Sequence, residues 1–429
     1  MVTYSGHHLS VHIQFKDFES IQDISKTSIH PLNVKYLNNS IDTMSETRRD
    51  NDDTYMRAIN IDSITSGNET STYCGIKISK EMDLLKMRKI SFDRSYKNPC
   101  WRKADGRLRC LPYMYLIGVA KCGTTDLFSR ITMHPDFVAP VVKEPNWLSS
   151  KRFWEHQSLD YYTAAFFSPI TKTLENDKTK QKRNRLITGE ASINTITGAH
   201  AWQNLGNNVG EDAPVENNPE YIYHLYNETR ILINIRNPVD RLWSEYLAFS
   251  RNTVLSPEKF HSIVEKSIKL YNDCTAKRSL RSCIYDRSLW NYASLNDTEV
   301  VIYGTRPCRV IPIDIVMLQR GIYHVYIQDY QKVFRKDHIL IQRLEDISKD
   351  PQTSLEHTYN FLGLRPLKKN QMQYILNANV KNSNPRGHGS VGTMLQKTQH
   401  MLYQFYKPHN EKLVELLGKQ KYNYGPTGG

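Results

Sequence analysis

The chain of 429 residues contains no run of about 18 consecutive apolar residues, the length that a membrane-spanning helix needs. It has no Cys-x-x-Cys pair, which argues against a zinc ribbon or a thioredoxin-type redox site. Residues 1–8 lack the basic and apolar regions of a secretory signal peptide. The sequence therefore predicts neither a membrane anchor nor a signal peptide.

Basic residues outnumber acidic ones, since 57 Lys and Arg face 44 Asp and Glu, a formal net charge of +13. Apolar residues make up 39% of the chain, enough for a large core, which excludes wholesale disorder. A positive balance suits polyanionic partners such as nucleic acid, an anionic membrane, a sulfated glycan or a nucleotide. It is equally compatible with a solvated basic surface, so charge alone does not choose among these classes.

The seven cysteines include two pairs that lie close together in polar sequence. Cys100 with Cys110, and Cys274 with Cys283, are candidates for local disulfides in an oxidising compartment, with free thiols as the alternative. The odd total leaves at least one cysteine without a partner in the chain. Four Asn-x-Ser/Thr sequons give only weak support for a secretory location: Asn38, Asn68, Asn227 and Asn296.

Two regions differ in their apolar pattern. Residues 1–96 show weak periodicity and a charged run, which is typical of a poorly structured leader or stem. From residue 97 to 429, short apolar strands alternate with helical patterns, which predicts one α/β domain with a central, mostly parallel sheet flanked by helices. The predicted strands are 113–119, 230–235 and 338–342, and the predicted helices 126–133, 239–249, 351–362 and 394–406.

The segment between the first strand and its helix reads Gly-Val-Ala-Lys-Cys-Gly-Thr-Thr over residues 118–125. A Gly-containing turn at a helix N-terminus presents backbone N–H groups to an anion. The lysine stands inside the loop at Lys121, unlike the Walker A pattern, in which it follows the second glycine. The segment therefore predicts an anion-binding loop of another kind, with an ordinary Gly/Thr turn as the alternative.

A second candidate element follows the strand 230–235. Arg236 stands at the strand's carboxyl end, where ligands of open α/β sheets bind, and Ser244 lies on the next helix. An arginine with a serine makes a suitable clamp for a second phosphate. The alternative is a helix terminus with surface arginines, which would make its pairing with the first loop a coincidence.

Together these elements resemble the two nucleotide-binding motifs of sulfotransferases that use 3′-phosphoadenylyl sulfate (PAPS), and more closely those of the Golgi glycosaminoglycan sulfotransferases. The likeness implies a P-loop-like fold. It also implies that residues 121–125 (Lys121, Cys122, Gly123, Thr124 and Thr125) bind the 5′-phosphosulfate, and that Arg236 and Ser244 bind the 3′-phosphate. Residues 97–101, 110–113, 120–127, 143–145, 189–192, 280–285, 343–346 and 405–410 carry the resemblance.

The resemblance also implies catalytic roles. Glu144, in the Lys-Glu-Pro segment, would accept the proton of a sugar hydroxyl, and Lys121 would stabilise the leaving bisphosphate. Arg386 and Gly387 would belong to a loop over the nucleotide. Asn146 follows the segment where histidine is expected. PAPS would be the sulfuryl donor, and no metal would be required.

The expected reaction is sulfuryl transfer to a glycosaminoglycan in the Golgi lumen or at its membrane, without nucleic acid as a partner. The expected acceptor is carbon 6 of GalNAc 4-sulfate in chondroitin or dermatan sulfate. Alternatives are a heparan-type acceptor, a non-catalytic glycosaminoglycan-binding module, and a nucleotide kinase. The position of Lys121 argues against the kinase.

Overall fold

A computed structural model describes residues 83–154, 157–199, 201–249, 255–286, 316–381 and 391–425, and the backbone of five strands outside these ranges. The candidate residues Arg386 and Gly387 lie outside the described residues. The strands are β1 Val2–Ser5, β2 His8–Val11, β3 Asn33–Tyr36, β4 Cys100–Arg102, β5 Leu108–Cys110, β6 Met114–Leu116, β7 Gly189–Glu190, β8 Arg230–Ile235, β9 Thr298–Tyr303, β10 Arg306–Pro312 and β11 Ile339–Arg343.

Several helices begin at a residue whose side chain caps them. Ser158, Ser256 and Asp350 each accept a hydrogen bond from a backbone N–H of the first turn. The helices are α1 Thr124–Thr132, α2 Arg152–Trp154, α3 Leu159–Phe166, α4 Ser168–Glu175, α5 Asn218–Leu225, α6 Pro238–Phe249, α7 Pro257–Thr275, α8 Leu280–Tyr285, α9 Tyr323–Val333, α10 Leu344–Lys349, α11 Pro351–Phe361, α12 Lys369–Leu376 and α13 Gln396–Leu417.

The central sheet has the order β11-β8-β6-β7, and its strand pairs are parallel. Successive side chains of β8 enter different cores: Ile231, Ile233 and Ile235 pack into one cluster, and Leu232 into the other. Burial on both faces explains why this strand is a continuous apolar run. Because these strands are parallel, the carboxyl ends of β6, β8 and β11 meet at one edge of the sheet.

The structure confirms the predicted α/β class. The strand predicted at 230–235 is β8, and the helix predicted at 239–249 is α6, with Pro238 in its first turn. The last predicted helix extends further, to Leu417, and accommodates Pro408 within it. Among the described residues, no helix combines the length and apolar character that crossing a membrane requires.

Both predicted disulfides are present. Cys100–Cys110 joins β4 to β5, and Cys274–Cys283 joins the end of α7 to α8. Leu84 and Tyr96, on the leader side of the predicted boundary, are buried in the larger core. Since nearly all of residues 1–82 lies outside the described part of the chain, the division at residue 97 stays a prediction.

Candidate active site

The loop 118–125 leaves the sheet beside β8. Ile117 N and Val119 N donate to Leu232 O and Asn234 O at 3.0 and 2.7 Å, so the β6–β8 ladder runs into the loop. Gly123 precedes α1 with φ +73°, and a Cβ there would stand 2.6 Å from Leu344 Cδ1. Both the left-handed conformation and this close approach favour glycine.

The first helical hydrogen bond of α1 runs from Leu127 N to Gly123 O at 3.1 Å. The N–H groups of residues 124–126 precede that bond and form the positive end of the helix. Thr124 is buried and Thr125 half-buried, so Thr125 is the more accessible of the two residues. Cys122 is a free, fully buried thiol, and burial raises its pKa to about 12, so it is not a thiolate nucleophile.

Lys121 and Arg236 lie in one electrostatic neighbourhood. Burial is the largest effect on the Lys121 ammonium and lowers its pKa, the carboxylate of Glu245 raises it, and the guanidinium of Arg236 lowers it again. Both side chains are half-buried. Because β6 and β8 are paired in parallel, the two predicted anion-binding cations also follow neighbouring strands at the carboxyl edge of the sheet. We call Lys121 and Arg236 the cationic side of the site.

Arg236 is held through its backbone and its neighbour. The Tyr323 hydroxyl donates to Arg236 O at 2.7 Å, and Asn237 N donates to Glu345 Oε1 at 2.7 Å. The side chain of Arg236 therefore extends from a strand end whose backbone is held by hydrogen bonds. Ser244 lies half-buried on α6, next to the buried Glu245.

Glu144 stands on a turn that packs against β7. Its carboxylate is paired with the ammonium of Lys143, and the two side chains are 28% and 22% exposed, so Glu144 is accessible to a ligand. Ala191 N donates to Lys143 O at 3.2 Å, and Asn146 N donates to Ser192 Oγ at 2.9 Å. The turn is therefore anchored to the residues that follow β7.

A second carboxyl group, Glu190, lies behind this turn at the end of β7. It is buried, accepts a hydrogen bond from the Tyr162 hydroxyl, and feels the charge of Glu144. Burial is the largest cause that raises its pKa, to about 7, while Ser192 and Tyr162 oppose the rise. We call Glu144 and Glu190 the acidic side of the site.

Sequence reasoning missed the buried ion network under the cationic side. Glu245 accepts from Arg241 Nη1 at 2.8 Å and from Arg320 Nη1 at 2.6 Å. Burial raises the pKa of Glu245, but the two guanidinium groups outweigh that effect and lower it. The spacing of Arg241 and Glu245, four residues apart on a predicted helix, was a usable signal. Arg320 carried no comparable local signal.

The cationic side fits a polyanionic ligand, because Lys121 and Arg236 carry positive charge and Lys121 lies in the loop that leads to the N-terminus of α1. No cluster of three or more potential His, Cys, Asp or Glu metal ligands occurs in the described part of the chain. Independence from metal stays a prediction.

A sequence model of the family described as sulfotransferase domain matches residues 112–401. Carbohydrate sulfotransferase 15 of Rattus norvegicus is 32% identical over 336 residues, and that of Homo sapiens 31% over 336 residues. In both cases the match covers 75% of this chain and 56% of the relative's length. These findings confirm the resemblance drawn from the motifs.

The chain is also similar to the crystal structure of a sulfotransferase from Alicyclobacillus acidocaldarius. The TM-score is 0.43 at 19% identity, over 73% of this chain and 99% of that chain.

Proposed function

The chain belongs to the sulfotransferase domain family, and we propose that it transfers a sulfuryl group from PAPS to a sugar hydroxyl of a glycosaminoglycan. The observation that carries this proposal is the position of Lys121 and Arg236 after the paired strands β6 and β8, with Glu144 accessible on the turn that contacts residues 191 and 192. Two separate cations suit a donor that carries a phosphosulfate at one end and a 3′-phosphate at the other. Lys121 and residues 122–125 would hold the first, and Arg236 with Ser244 the second.

In the proposed reaction, the acceptor oxygen forms a bond to sulfur while the bond from sulfur to the bridging phosphate oxygen breaks. Adenosine 3′,5′-bisphosphate leaves with that electron pair, and the acceptor's proton passes to the Glu144 carboxylate. Lys121 stabilises the charge that develops on the bridging oxygen. A half-buried ammonium is well suited to this, since charges interact more strongly away from bulk water.

For the acceptor, we propose carbon 6 of GalNAc 4-sulfate in chondroitin or dermatan sulfate. The motif resemblance supports this choice, and the name of the rat and human relatives supports a carbohydrate acceptor. The two disulfides fit an oxidising compartment, in agreement with a Golgi location. The chain spans 56% of the length of these relatives, so the activity of the whole protein is part of the proposal.

The nucleotide is tested by thermal unfolding with adenosine 3′,5′-bisphosphate or with ATP. A ligand that binds only the folded state raises the melting temperature. We expect the bisphosphate to stabilise the protein without added metal, and Arg236→Ala to reduce that shift. Lys266→Ala, at an exposed helix position, serves as the substitution control. Stabilisation by ATP with Mg²⁺ and none by the bisphosphate would favour a kinase and contradict the proposal.

The acceptor is tested by transfer of labelled sulfate from PAPS to chondroitin 4-sulfate, dermatan sulfate and heparan sulfate, with the modified position mapped. We expect label on carbon 6 of 4-sulfated GalNAc. Label on heparan sulfate alone would support the family activity but overturn the acceptor. Glycan binding without transfer and without a bisphosphate shift would identify a binding module.

A further inference from the structure

Resting on the proposed function, we propose that Arg320 is a positioning residue that couples the turn of Glu144 to the helix α6 of the nucleotide site. Arg320 lies on the short 3₁₀ helix Leu318–Gly321, far in sequence from both elements. None of the motifs recognised in the sequence includes it.

The coupling is a continuous chain of polar contacts. Arg320 Nη1 donates to Glu245 Oε1 on α6 at 2.6 Å, and Arg320 Nη2 donates to Asn194 Oδ1 at 3.0 Å. Asn194 Nδ2 approaches Asn146 Oδ1 at 3.5 Å. The two ends of one planar guanidinium therefore connect different elements, a geometry that a lysine ammonium does not reproduce.

At the acidic side, the chain ends on a well-defined turn. Asn146 has φ +52°, a left-handed conformation that asparagine tolerates better than most residues, and it is 2% exposed. Its Nδ2 donates to Glu144 O at 3.1 Å, and its backbone N–H is bonded to Ser192. Movement of Asn146 would thus move the backbone of the proposed base.

At the cationic side, the chain ends on a buried carboxylate with several cationic neighbours. Glu245 is 1% exposed, binds Arg241 as well as Arg320, and interacts electrostatically with Lys121. The 3₁₀ helix packs closely against the start of α6, because a Cβ on Gly321 would stand 2.9 Å from Pro238 Cβ. This close packing fixes the position of Arg320 relative to α6, the helix that carries Ser244.

The functional consequence concerns the relative placement of Glu144 and Lys121. In-line transfer needs the proton acceptor and the leaving-group cation on opposite ends of the reacting group. A displacement of about 1 Å at such a site can lower the rate by roughly 10²-fold. Arg320 holds the two sides in register without being required for nucleotide affinity.

The test compares Arg320→Lys, Asn194→Ala and the double variant with the wild type. We expect each single variant to lower kcat by roughly 10²-fold and the double variant to lose little more, because both changes break one connection. The dissociation constant for adenosine 3′,5′-bisphosphate should stay within about twofold, because neither change removes Lys121, Arg236 or Ser244. Arg281→Lys is the matched control, since Arg281 forms a comparable pair with the buried Asp329.

Unchanged kcat in Arg320→Lys, or losses that multiply in the double variant, would overturn the coupling. So would a loss of bisphosphate affinity that matches the loss of kcat, which would assign Arg320 to nucleotide binding instead. A wild-type chain that binds no bisphosphate and transfers no sulfate would instead contradict the proposed function, and the coupling would fall with it.

Discussion

The cationic and acidic sides of the site are built in different ways. Arg236 directly follows β8, and Lys121 lies in the loop that links β6 to α1, so the pairing of these strands brings both residues to one edge of the sheet. Glu144 lies on a turn outside the strands, held by hydrogen bonds to residues 191 and 192. The contrast indicates that strand pairing places the two predicted anion-binding cations, whereas loop contacts place the proposed base.

Replacement of Glu144, the proposed base, should lower the rate of transfer and leave nucleotide binding unchanged. Glu144→Gln removes the proton acceptor and keeps the side-chain size, so we expect kcat to fall by roughly 10²- to 10⁴-fold. The bisphosphate-induced rise in melting temperature should persist, because the cationic side is unchanged. Sulfate-transfer kinetics and thermal unfolding measure the two effects, with exposed Glu411→Gln as the control. Full activity in Glu144→Gln would remove the acidic side from the chemistry.

Lys121→Ala probes the cationic side. We expect kcat to fall by roughly 10²- to 10³-fold, because an electrostatic stabiliser of the leaving group is lost. Unlike Glu144→Gln, this variant should also bind the bisphosphate more weakly, which calorimetric titration measures. Lys266→Ala is again the matched control. If Lys121→Ala binds and reacts like the wild type, the loop 118–125 is an ordinary turn.

Glu190, on the acidic side, makes the free energy of unfolding depend on pH. Its pKa is raised to about 7 from the ordinary 4.5, chiefly by burial, so the folded state binds an extra proton between these values. The corresponding stabilisation is fully present below about pH 4.5 and is lost as pH rises through about 7, at most about 3 kcal/mol.

Glu190→Gln keeps a neutral, hydrogen-bonding group and removes this titration. We expect the free energy of unfolding of the wild type to fall more between about pH 5 and about pH 8 than that of the variant. Denaturant unfolding at the two pH values measures the difference. Equal pH dependence in both proteins would show that Glu190 is ionised in the folded state throughout this range.

Ser244→Ala should have the smallest effect. Loss of one hydroxyl contact to a charged phosphate is expected to weaken bisphosphate binding by about 1.5 kcal/mol, roughly tenfold, with kcat little changed. Titration of the bisphosphate measures this, and Ser267→Ala, on α7, is the control. An effect on kcat alone would move Ser244 from the nucleotide to the reaction centre.

Local sequence predicted much of the fold. β8 and the start of α6 could be recognised because an apolar strand and Pro238 leave their signals within a few residues. The short strand β7, with two residues, could not, since its assignment depends on pairing with β6. The raised pKa of Glu190 was equally unpredictable, because the burial that causes it depends on that strand.

The amino-acid sequence by itself determined the alternation of strands and helices, the position of the loop around Lys121, and the arginine that follows β8. These features depend on backbone propensity and on neighbours a few positions away. Only the tertiary structure decided how the two sides of the site are joined. Arg320 meets Glu245 across 75 positions and Asn194 across 126. Such contacts form only in the folded protein, where these groups are removed from water and hydrogen-bond to one another.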